Sequence, residues 1–143
     1  MNLKKKILNC LAAVVLTLVS GCATSKSELE NFQHKFQKDK FKFETLVKLL
    51  DEHNLRVDYF IDETKLSAEI RSLLSDLDIS DVSKNRTGYE LESSWGRWVH
   101  VYFVKDNYNL RESYIGYHRQ TSEMIEVWGL GEGWTMVVDY DFI

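Results

Sequence analysis

The sequence predicts an α+β fold: a long N-terminal helix and a second helix packed on a five-stranded antiparallel meander. Three observations carry this. Apolar residues recur at helical spacing in the first half of the chain. From Thr87 onward the period changes from 3.6 to 2. The strand-like runs are separated by short turn signals, and parallel pairs would need longer crossovers.

The first helix is expected over about 27 to 53. Ser27 and Glu30 fit the S-x-x-E capping box. Leu29, Phe32, Phe36, Phe43, Val47 and Leu50 follow at steps of three, four or seven. Phe41, Leu46 and Leu49 widen that stripe, which suits packing onto a sheet. Lys35, Lys38, Lys40, Lys42 and Lys48 mostly fall on the other face. Asn54 is the expected stop. Leu55 to Ile61 reads as extended. Leu66, Ile70, Leu73, Leu74 and Leu77 mark the second helix, about 64 to 77. Asp78 to Arg86 reads as a polar loop. Strands are expected near 88–94, 97–104, 111–118, 122–128 and 134–141. Asp106-Asn107-Tyr108-Asn109, Arg119-Gln120-Thr121-Ser122 and the glycines at 129, 131 and 133 supply the turns.

The opening residues are an address. Lys4, Lys5 and Lys6 precede an apolar run from Ile7 to Val19, too short to cross a bilayer core and right for a signal-peptide h-region. Leu18-Val19-Ser20-Gly21-Cys22 then resembles the lipobox of bacterial lipoproteins. The resemblance covers the export signal alone. It implies a signal peptide over 1–21, cleavage after Gly21 and lipid on the Cys22 thiol; the residues that follow read, from length and pattern, as a tether over 22–26 and a single domain over 27–143. It also implies that Ala23, where Asp would retain the protein in the inner membrane, directs it to the outer membrane. The expected place is therefore the envelope, facing the periplasm. Two or more acyl chains make a stable anchor where one does not.

The chain has 143 residues, 18 basic and 22 acidic, for a net charge of −4. Residues 1–21 carry three lysines and no acid, so the 122 residues that remain after cleavage carry −7. That charge disfavours reading nucleic acid by phosphate neutralisation. Cys10 and Cys22 are the two cysteines. One is discarded and the other lipidated, so disulfides, cysteine nucleophiles and thiolate metal sites are not expected.

Histidines 34, 53, 100 and 118 show no metal-ligand spacing. His100 and His118 fall on strands expected to be neighbours, in a register that separates them. No metal and no cofactor is expected. Ser93-Ser94-Trp95-Gly96 lacks the Gly-x-Ser-x-Gly elbow. Glu90 with Glu92, and Asp139 with Asp141, alternate as the acids of a glycosidase pair could, and equally as the solvated face of a strand. Gly129-Leu-Gly131-Glu-Gly133 precedes a strand pattern, so it reads as a hairpin, not a phosphate cradle. All four tryptophans, Trp95, Trp98, Trp128 and Trp134, lie in the β half. They are the candidate binding surface, since Trp is enriched at interaction hot spots. Aromatics also suit strand cores, and Trp95 and Trp134 are the two expected outside the core. The expected function is a membrane-anchored, non-catalytic envelope domain with a protein partner, and the acidic charge suits a basic one. A periplasmic immunity protein neutralising a toxin and a small hydrolase of peptidoglycan or lipid are the alternatives.

Overall fold

The structure is a computed structural model. It describes residues 26–57, 62–95, 99–106, 112–113, 115–122 and 124–140. The signal peptide, Gly21 and Cys22 lie outside the described residues. Two compact units divide the chain, Met1–Phe32 and Gln33–Ile143. Only the opening of a helix is described in the first, where Leu29 is buried.

The fold is α+β, with helices and an open antiparallel sheet. Helix α1 spans Lys26–Glu52, as the apolar spacing predicts. The capping-box side chain of Ser27 lies outside the described residues. Phe36, Phe43, Leu46 and Leu50 are wholly buried along one stripe. Phe41 departs from the expected stripe and is 83% exposed. It sits about 120° outside the arc that the buried residues span at 100° per residue. The chain turns out of the helix at Asn54, whose φ is 50°. The region expected to form one helix from 64 divides. A single 3-10 turn spans Glu63–Lys65, and helix α2 spans Ala68–Asp76. Ser67 caps α2 by accepting the Ile70 N–H at 3.2 Å. Helix α2 runs beside α1 in the opposite sense. Lys65 O lies 3.4 Å from His53 Nε2, Asp76 pairs with Lys42 at 3.1 Å, and Asp78 pairs with Lys35.

The sheet has six strands, not five: β1 Asp81–Lys84, β2 Gly88–Trp95, β3 Val99–Asp106, β4 His118–Gln120, β5 Ile125–Gly131 and β6 Trp134–Tyr140. Strand β1 occupies part of the expected loop over 78–86. Of its four residues only Val82 is buried, too few for a period to show. The strand expected over 111–118 is corrected to the three residues of β4, because the chain turns at Gly116 (φ 92°) first. The order is β1-β2-β3-β6-β5-β4. This corrects the continuous meander: β3 pairs with β6, not with β4. Between β5 and β6, Glu132 (φ 52°) and Gly133 (φ 80°) form a two-residue turn of the primed kind that suits strand twist. Gly131, at φ 94°, sits in the bulge before it.

Register divides the sheet into two faces. Leu91, Phe103 and Met136 are cross-strand partners, as are Ser93, Val101 and Val138. All six are buried on the inner face. There Phe36 lies 5.7 Å from Phe103 and 5.3 Å from Trp134, and Phe43 lies 4.9 Å from Phe103. These tilted and stacked rings join helix to sheet, each such pair adding about 1 kcal/mol beyond its buried area. Polar ties follow the same edge. Trp134 Nε1 donates to Glu44 Oε1 at 2.6 Å. Lys105 Nζ reaches Glu44 and the Glu132 carbonyl. Tyr89 O–H donates to Asp51 at 2.8 Å.

Candidate binding face of the sheet

Alternate residues of the same strands form the outer face. Its first row reads Ser83, Glu90, Val104, Thr135, Gly129 across β1, β2, β3, β6 and β5. The second reads Asp81, Glu92, Tyr102, Val137, Val127, Arg119. The third reads Ser94, His100, Asp139, Ile125. Val104, Val137, Val127 and Ile125 remain partly exposed in the middle of the sheet. Helix α1 carries Phe36 and Phe43 to the inner side, against Phe103 and Trp134. Among the described residues, no helix covers this one. A β-branched strip across three central strands is therefore left partly exposed among the described residues, with Thr135 buried within it.

Acids flank the strip. Glu90 accepts from Asn85 Nδ2 at 3.2 Å. Glu92 Oε1 lies 2.6 Å from His100 Nδ1, and the side chains are 19% and 35% exposed. The His100 ring stacks on Tyr102 with centroids 6.3 Å apart. Asp139 stands opposite His100 on β6 and has no hydrogen-bond or ion-pair partner among the described residues. Asp81 spends one oxygen on the Val82 N–H at 2.8 Å. At the far edge Arg119 lies 3.8 Å from Glu112. Carboxylates thus collect over β1, β2 and β6, and the single fixed cation of the three rows sits on β4.

The structure redistributes the expected site residues. Trp134 is corrected from the binding surface to the core. It is fully buried, because the primed turn aims it at Phe36 and Phe43 and Glu44 satisfies its N–H. Trp128 is part-buried and shares the inner face with Met136, stacked on His118 at 3.8 Å. Its Nε1 is buried without a partner among the described residues. Trp98 and the Trp95 side chain lie outside the described residues, as does Asp141. His100 and His118 are not on neighbouring strands, since β6 and β5 lie between them. His118 Nε2 instead faces Glu126 at 3.2 Å. Glu90 and Glu92 do share a face, each engaged by a different neighbour. Among the described residues no three His, Cys, Asp or Glu are grouped to hold a metal.

The residues that sequence reading missed are Val104, Val127, Val137 and Ile125. The signal was present. Glu90, Glu92 and Asp139 mark one parity of their strands as solvated, and the valines share that parity. Apolar area ringed by charge is suited to burying against another surface. No family model, no curated protein and no solved structure matches this chain.

Proposed function

We propose that the chain is a lipid-anchored envelope protein. In this reading it is exported, cleaved before Cys22 and held at the outer membrane facing the periplasm. Its domain acts without catalysis, by docking a protein partner on the outer face of the sheet. The observation that carries the docking role is the open strip of Val104, Val137, Val127 and Ile125. A two-layer domain ordinarily leaves its wet face polar, with apolar residues alternating inward. Here both parities are apolar at the centre.

Anchoring is tested with Cys22→Ser. Wild-type chain is expected to incorporate labelled palmitate and sediment with membranes. The variant is expected to stay uncleaved and unlabelled. Normal processing of the variant would overturn the lipoprotein reading. Docking is tested separately, by placing a photo-crosslinking residue at Val127 or Val104 and, as a control, at Thr45 on α1. A product from the sheet positions and none from Thr45 is expected.

A further inference from the structure

We infer that the outer face takes a basic protein, and that the partner's cations seat over β2 and β6, away from β4. The inference rests on the docking reading above and adds the partner's chemistry and orientation. Three observations bear on it. Glu90 and Glu92 flank the apolar strip on β2 and Asp139 closes its end on β6, whereas the β4 side carries Arg119, paired with Glu112 at 3.8 Å. Asp139 is partly exposed and unpaired among the described residues, so its charge is not spent within the domain. Glu92 is held 2.6 Å from His100 Nδ1 and its side chain stays 19% exposed beside the strip.

A second copy of this chain fits poorly. Two outer faces brought together would pool Glu90, Glu92 and Asp139 from each copy against Arg119 as the only fixed cation of each copy's rows, and an excess of like charge at an interface is unfavourable. An acidic partner meets the same objection. A partner carrying Lys or Arg at the edge of an apolar patch satisfies both parts of the face. The valines lose water, and Asp139 gains a counter-charge that the described residues of the domain do not provide. At the β4 side Arg119 and Glu112 answer each other, so the partner's cations are drawn to the β2 and β6 acids and that asymmetry sets which way round the partner lies.

The experiment uses the full chain in its native envelope, with the photo-crosslinking residue at Val127, at Val104 or at Thr45. Each is combined with wild-type sheet acids, with Glu92→Lys plus Asp139→Lys, or with Glu92→Gln plus Asp139→Asn. Mass spectrometry identifies the product. The expected result is one protein with strongly positive net charge, captured from Val127 and Val104 only. Charge reversal is expected to cut its yield about tenfold or more, and neutralisation by less, the loss lying mainly in association rate. Raised salt is expected to weaken the wild-type product. The melting temperature of each variant shows that it is folded.

Capture of a neutral or acidic protein, or of a second copy of this chain, overturns the inference and leaves the docking face standing. A yield indifferent to both charge variants does the same. Absence of any product from the sheet positions overturns the docking reading with it. Repeating the capture in Cys22→Ser separates either result from the fate of the anchor.

Discussion

Phe103 and Val104 are neighbours in one strand and belong to different worlds. Phe103 is wholly buried and meets Phe36 and Phe43. Val104 stands on the outer face between Glu90 and Thr135, partly in water. The two faces share the same backbone pairing and are both apolar at their centres. What separates them is closure. The inner face is sealed by helices that supply matching rings, whereas the outer face has its apolar centre and no cover among the described residues. Stability should therefore reside on one face and recognition on the other.

The largest test of that division is truncation on the inner face. Phe103→Ala should cost about 3–5 kcal/mol by removing a ring from the shared cluster, read as a fall in urea midpoint. Val104→Thr, one residue along, should cost well under about 1 kcal/mol. Equal losses would break the comparison. Gly88→Ala is the expected exception at the outer-face end of β2. An added Cβ there would lie 1.6 Å from the Lys105 carbonyl. The strands would have to part, at a cost of about 3 kcal/mol.

Trp134→Phe should keep most of the packing and lose the N–H bond to Glu44. A loss of about 1.5–3 kcal/mol is expected for a hydrogen bond to a charged group. Thermal melts check it.

Tyr89 gives a smaller effect with a pH signature. Burial first, then its hydrogen bond to the Asp51 carboxylate, push its hydroxyl well above the ordinary tyrosine range. The neutral phenol is favoured by folding, so this contribution is complete below about pH 10, the unfolded value, and declines as pH rises beyond it. Tyr89→Phe should flatten the alkaline loss of stability. Absorbance at 295 nm should show one tyrosine ionising after the rest. The smallest expected effect is Asp139→Asn, with a change in melting temperature near zero and a measurable loss in partner capture.

Much of this architecture is legible in the sequence. Leu29 to Leu50 mark α1 because a helix face repeats over about six turns. Strands β2, β3 and β6 show because each has seven or eight residues. Strand β1 does not show, since one buried valine has no period. The strand order is hidden for a different reason. Local turn signals report which segments can pair as hairpins, and the junction of β3 with β6 is not local. Among the site residues, burial decided the outcome. Trp134 near a glycine turn suits a binding loop and a core plug equally in sequence. The φ values at Glu132 and Gly133, which choose between them, depend on tertiary pairing.

The strand order also bears on how the chain reaches its fold. Strands β1 to β3 form one local ribbon, and β4 to β6 another. The ribbons meet at a seam where Val99 pairs with Tyr140 and Lys105 with Trp134. Contacts distant in sequence form slowly, because their loop entropy is lost before any pairing compensates it. The seam is the rate-setting event on that argument. Phe36 and Phe43 touch Phe103 on one ribbon and Trp134 on the other, so α1 serves as the clasp that holds the ribbons while the seam zips. Each ribbon can form on its own early, and the globule closes only when the strand at its C-terminal end, β6, has paired with β3.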